Sequence, residues 1–416
     1  MAQRIAALSF IFICTTIAWM FLGSTIADRT YTLSPDLKSQ VASSWGTEQN
    51  QSSPKVQYEH KYKRDLVDTI SHKNNSEDVS ETLPIELEAS KLDVTLDLQH
   101  RQKGLLWYST YSVYFLGNYQ FSNPTDEKQL MTFILRLPAE HAVYDDLSFT
   151  ANGVPLKVSS SGTWASASMI VDPRHLVSLD ARYHSQGLDA WRYSFGEGVT
   201  QMKNFNLVMH TNFDNIDFPE STLSPTAKLK TDKGWDLQWN YKNLVSGFAI
   251  GMIMPEKLQP GPLAGQISHF APVSLFFFFF IIAMITTLRG IDLHPMNYFF
   301  LAAAFFAFHL LLAYLVDHIS IHKAFVICSI VSIFLVVSYL RLVVGLRFAA
   351  LEAGVAQLIY LVLFSYAFFF KGFTGLAVTI GLIVTLFAVM QVTGRMSWTH
   401  IFARVQGRPV PPPAAL

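Results

Sequence analysis

Cysteine is scarce in this chain, and the way the two residues are placed is informative. Cys14 and Cys328 both fall inside apolar runs, so the long polar middle contains none and cannot be stapled by an internal disulfide. Each is expected to act as a small apolar packing residue. An excess of either charge is also missing, with 31 Lys and Arg against 31 Asp and Glu, so nothing marks the chain for nucleic acid. There is no internal repeat and no glycine-rich phosphate loop. Ser52-Ser53-Pro54-Lys55 has the Ser-x-x-Lys spacing of an activated serine, but the intervening proline disfavours the helical turn that spacing needs, and the companion Ser-Asp-Asn and Lys-Thr-Gly segments are missing. Asp214, Asp217 and Glu220 lack the spacing of a calcium loop. Among His60, His72, His100, His141, His175 and His184 no pair has the spacing of a helical zinc site. No catalytic, cofactor-binding or metal-ligating residues are therefore expected, and the chain reads as non-enzymatic.

What the chain has in abundance is hydrocarbon. Crossing a bilayer core takes about 17–25 apolar residues in a helix rising 1.5 Å per residue. Six segments approach that length: Ile5–Leu22, Ala271–Leu288, Tyr298–Val316, Ala324–Leu340, Ala349–Phe370 and Leu376–Val392. Lys and Arg collect in cytoplasmic connections. Arg4, Arg289, Arg341, Arg347, Arg395, Arg404 and Arg408 fall on one side, against only Lys323 and Lys371 on the other, which predicts cytoplasmic N- and C-termini and an external middle. Thr25-Ile26-Ala27 resembles a signal cleavage site, and cleavage there would leave five helices.

The predicted organisation is an N-terminal membrane anchor (1–27), a large external all-β or β-rich domain of sandwich type (28–268), a five-helix membrane cluster (269–400) and a cytoplasmic proline-rich tail (401–416). The strand reading rests on a period of two. Leu92, Val94, Leu96 and Leu98 alternate with polar residues, as do Trp235, Leu237 and Trp239. Asn152-Gly153 between two apolar segments predicts a tight hairpin, with Pro155 placing the second strand at an edge. The polar stretch Asp65–Glu88 reads as a loop, and Pro255–Gly265 as the hinge into the second membrane helix.

Several segments resemble the CreD family of bacterial inner-membrane proteins. Val41-Ala42-Ser43-Ser44-Trp45-Gly46-Thr47-Glu48-Gln49 is similar to the family's segment after its first helix, and Gly104-Leu105-Leu106 with Tyr111 to its Gly-Ile-aromatic strand. His294-Pro295-Met296-Asn297-Tyr298, the helix ending Asp317-His318-Ile319, and Trp398 after Arg395 resemble its membrane motifs. Ser53-Pro54-Lys55-Val56-Gln57-Tyr58 and Ser109 depart from the family pattern, so the chain resembles a divergent member. The resemblance implies six membrane helices, a periplasmic β domain, and a link to envelope integrity, colicin tolerance and the β-lactam response under a two-component system. It implies no catalytic residue. The partners it suggests are the lipid bilayer together with envelope proteins or cell-wall components.

Polar groups at membrane depth are costly and so become candidates for function. His309 lies midway along its apolar run, and Gln357, in the next helix but one, is its candidate partner. His294 is a candidate contact point for a cytoplasmic partner, and Asn297 is expected to cap the helix that follows. The helical cluster with His309 and Gln357 also carries the alternative reading, a transporter or lipid-handling protein.

Overall fold

The computed structural model describes residues 2–31, 34–67, 74–196, 198–370 and 372–394. They form two compact units. One comprises residues 36–103 and 107–257, and the other the described parts of 1–35, 104–106 and 258–416. The expected boundaries at 27 and 268 shift because the flanking helices run further than their most apolar stretches.

Helices α1 (Ala2–Tyr31) and α2 (Ser34–Trp45) open the chain. The second was not expected, since its sequence is polar. Its Asp36, in the first turn, sits where the helix dipole favours a negative charge. Strands follow: β1 Gln49–Ser52, β2 Lys55–Val67, β3 Asn74–Ile85, β4 Ala89–Lys103, β5 Leu106–Ser122, β6 Gln129–Arg136, β7 Tyr144–Ala151 and β8 Val154–Leu156. The remainder are β9 Ser159–Ser161, β10 Trp164–Val171, β11 Leu176–Leu188, β12 Ala190–Ser194, β13 Thr200–Thr211, β14 Ala227–Lys230, β15 Trp235–Ser246 and β16 Ile250–Ile253.

They make three sheets, ordered β14-β15-β13-β4-β5-β11-β7-β8, β3-β2-β6-β10-β9 and β1-β12-β16. One continuous core lies between them. Leu92, Val94 and Leu96 are fully buried, as are Leu237 and Trp239, so the expected alternation delivers one face of β4 and β15 to this core. The Asn152-Gly153 hairpin forms with φ of 49° and 81° at its two residues, and β8, with Pro155, ends the eight-stranded sheet. Tyr111, Tyr119, Tyr183 and Tyr193 are sunk in the core, and Tyr144 packs against it partly buried. Burial pushes the phenols of Tyr111, Tyr119 and Tyr183 well above the ordinary value, and those of Tyr144 and Tyr193 to about 12.

The Asp65–Glu88 expectation is overturned. β2 and β3 pair antiparallel from Val56↔Ile85 out to Val67↔Asn74, a long ribbon whose tip, residues 68–73, lies outside the described residues. β2 also pairs with β6, but only from Lys55 to Tyr58. Beyond that point the two strands have only each other, and a two-stranded ribbon open to solvent needs no apolar face. That is why its composition reads as loop.

In the helical unit α3 (Pro260–Arg289) begins with Pro260, whose missing N–H and fixed φ suit a first turn, so the expected hinge is half helix. Then come α4 (Pro295–Leu315), α5 (Ile321–Val343), α6 (Phe348–Phe369) and α7 (Thr374–Thr393). Among the described residues, six helices are long and apolar enough to cross a membrane. α6 is irregular. Two π-helical segments, Phe348–Ala353 and Leu358–Leu363, flank the α-turn Gly354–Gln357.

Candidate functional site in the helical unit

His309 is fully buried on α4. Its Nδ1 lies 3.0 Å from the Phe305 carbonyl one turn earlier, so that nitrogen is the donor and Nε2 is left with no partner among the described residues. Aromatic rings enclose it: Trp19 from α1 at 5.5 Å and Phe308 at 5.0 Å meet it edge-on, and Phe305 stacks at 6.3 Å. The Trp19 indole N–H is likewise without a partner.

Gln357 does not meet His309 through a hydrogen bond. Its Nε2 donates to Ser332 Oγ on α5 at 2.8 Å, and Ser332 donates onward to the Ala304 carbonyl on α4 at 2.8 Å. This relay joins α6 to α5 to α4 in the buried centre of the unit, where Ser332 and Gln357 have no exposed surface. An interhelical hydrogen bond of this kind contributes about 0.6–2 kcal/mol in a membrane.

The expected roles of His294 and Asn297 are redistributed. His294 is the residue that caps α4: its Nδ1 accepts from Met296 N at 3.3 Å, while Pro295 takes the first helical position. Asn297 Oδ1 instead accepts from the Tyr339 hydroxyl of α5 at 2.7 Å. Sequence reasoning assigns the cap to Asn297 because asparagine is the commoner capping residue, but Pro295 fixes the helix start one residue after His294.

Two ion pairs went unforeseen. Arg29 Nη2 lies 2.6 Å from Asp317 Oδ2, fastening the end of α1 to the residue beyond α4. Arg289 Nη1 lies 2.5 Å from Glu352 Oε1, fastening the end of α3 to α6. The pairs sit at opposite ends of the bundle. In the sequence Asp317 and Glu352 look like carboxylates that water reaches at helix ends, and no short-range pattern could match Arg29 to a partner 288 residues away.

The remaining sequence candidates are dispersed. Ser52 and Lys55 occupy separate strands, β1 and β2, so they have no helical turn between them. Asp214 pairs with Lys230, and Asp217 accepts from the Phe218 backbone N–H at 2.9 Å. Among the described residues no cluster of three or more His, Cys, Asp or Glu is arranged to hold a metal ion. Arg395, Trp398, Arg404, Arg408 and the proline-rich tail lie outside the described residues.

On the β unit, the outward face of the eight-stranded sheet carries a shallow depression of about 310 Å³ with Asp93, Tyr114, Leu116, Asp146, Arg182 and His184 around it. The Tyr114 and His184 rings are 3.6 Å apart between centroids, and Tyr114 and Leu116 are both nearly half exposed.

A bundle of apolar helices tied by buried polar relays, in a chain that also carries a large β unit, defines a multi-pass membrane protein. Residues 265–399 match the family model described as inner membrane protein CreD. His294, Asn297, His309 and Gln357 all lie within the match. No curated protein matches the sequence significantly. Among solved structures, a candidate nutrient binding protein from Legionella pneumophila is similar over 47% of this chain and 73% of its own, at 9% identity and a TM-score of 0.32. An M1 zinc metallopeptidase from Deinococcus radiodurans is similar over 41% of this chain and 42% of its own, at 10% identity and a TM-score of 0.27. An aminopeptidase N family protein from Idiomarina loihiensis reaches 10% identity and a TM-score of 0.20 over 45% of this chain and 36% of its own. At such TM-scores the likeness does not define a common fold.

Proposed function

We propose that the protein is a non-enzymatic envelope protein of the inner membrane, in which the helical unit anchors and the β unit senses or scaffolds on the periplasmic side. Both termini are then cytoplasmic. The observation that carries this reading is the fate of the polar groups in the bundle. Arg29 with Asp317, Arg289 with Glu352, Gln357 with Ser332, and Asn297 with Tyr339 are each engaged in holding one helix to another. A transport pathway requires ionisable groups that face a hydrated route, whereas His309 is sealed among aromatic rings. The arginines at the Arg289–Arg347 end of the bundle support the orientation. The family resemblance supports a role in envelope integrity, colicin tolerance and the β-lactam response, and envelope proteins or cell-wall components are the partners.

The half-exposed Tyr114 face is where such a partner docks. A photo-crosslinking residue at position 114, introduced into the full chain in living cells, is expected to yield discrete adducts with envelope proteins or wall fragments. The purified full chain is expected to leave wall polymers and β-lactams intact. Turnover of either that disappears with one side-chain substitution in the β unit would overturn the reading.

A further inference from the structure

The bundle contains a second feature that the anchoring role does not use. Between α4 and α5 runs an apolar groove of about 550 Å³, walled by Phe300, Ala303 and Ala304 on one side and Leu335, Tyr339 and Leu342 on the other. The two alanines open it, since a longer side chain at either position would fill the trough. Its polar neighbours are already satisfied: the Ala304 carbonyl by Ser332, the Ser338 hydroxyl by the Leu335 carbonyl, and the Tyr339 hydroxyl by Asn297. The exception is Arg341, which also lines the groove and makes no ion pair or side-chain hydrogen bond among the described residues. Arg289, at the same end of the bundle, has its charge matched by Glu352.

We propose that this groove is a binding site for an anionic phospholipid, one acyl chain lying along the Phe300–Leu342 trough and the headgroup phosphate held by Arg341. The chemistry argues for one occupant. A dry trough opening sideways from two membrane helices suits a hydrocarbon chain, and a guanidinium two residues from the end of α5 stands at the depth where phosphates lie. Arginine's planar fork matches phosphate oxygens in pairs, which makes the contact charge-assisted and specific. A comparable groove of about 550 Å³ between α1 and α4 ends instead on His294, whose Nδ1 is engaged in capping, and no arginine is among its described lining residues. The site lies within the helical unit and holds whichever compartment the β unit faces.

The test is native mass spectrometry of the detergent-solubilised full chain, mixed with equimolar phosphatidylglycerol and phosphatidylcholine. Retention of phosphatidylglycerol over phosphatidylcholine is expected. Arg341→Gln should lower phosphatidylglycerol retention about tenfold and abolish the preference, as loss of one charge-assisted pair implies. Ala303→Leu, which fills an exposed position in the trough and leaves the charge in place, should lower retention of both lipids. Arg347→Gln, outside the groove, should change neither. Wild-type selectivity in Arg341→Gln, an equal loss in Arg347→Gln, or undiminished retention in Ala303→Leu would overturn the proposal.

Discussion

Gly187→Val is expected to destabilise the β unit by about 3–4 kcal/mol. Gly187 on β11 stands directly opposite Tyr111 on β5, and the Tyr111 ring lies over the glycine so closely that a Cβ there would overlap it. The Tyr111 hydroxyl then donates to the Ala190 carbonyl at 2.7 Å, with the whole residue buried. A branched side chain at 187 must push the ring aside. That costs about 1–3 kcal/mol of overpacking, and the lost hydrogen bond leaves a buried carbonyl unmet for about 1–3 more. Gly117 repeats the device under Tyr119, whose ring carbon Cε2 would lie 2.7 Å from an added Cβ. Thermal unfolding of the solubilised chain, followed by tryptophan fluorescence, measures the effect. Tyr111→Phe serves as the companion, since it removes the hydrogen bond alone and should cost about 1–1.5 kcal/mol. A Gly187→Val chain that unfolds with the wild type would show that the ring does not depend on the glycine for its place.

The second large effect belongs to the helical unit. Arg289→Gln leaves Glu352, only 14% exposed, as an uncompensated carboxylate whose Oε2 already lacks a partner among the described residues. Breaking a buried pair on one side costs about 3–5 kcal/mol, but Arg289 is half exposed and solvent screens part of the interaction, so about 2–3 kcal/mol is expected. Arg289→Gln with Glu352→Gln should recover most of that, because the desolvation penalty leaves together with the charge. Unfolding of the single and double variants in mixed detergent micelles forms the cycle. Equal stability of the two would mean that the pair does not carry the contact between α3 and α6.

How far these features can be read from the sequence depends on how local their cause is. The membrane helices are legible because span length and hydropathy are properties of one segment, and the core strands because Leu92, Val94 and Leu96 repeat with a period of two. α2 and the β2–β3 ribbon are hidden for a shared reason: neither carries the apolar pattern by which a buried face announces itself. At the candidate site, burial of His309 and Gln357 follows from apolar context, but their partners do not. Gln357 finds Ser332 and Asn297 finds Tyr339 across helix interfaces, 25 and 42 residues away, and the π-helical turns that flank Gln357 have no signature in the sequence. The His294 cap is an instance of a rare residue winning because Pro295 fixes the geometry around it.

The central claim is that the helical unit anchors a β unit exposed to the periplasm. Its most direct test uses the scarcity of cysteine. With Cys14 and Cys328 replaced by serine, single cysteines are introduced at Val154, 63% exposed beside the β7–β8 turn, and at Leu346, 60% exposed between α5 and α6. Spheroplasts are then treated with a membrane-impermeant maleimide. The account predicts that the Val154→Cys chain is labelled at once and the Leu346→Cys chain only after permeabilisation; the reverse pattern would place the β unit in the cytoplasm and contradict it.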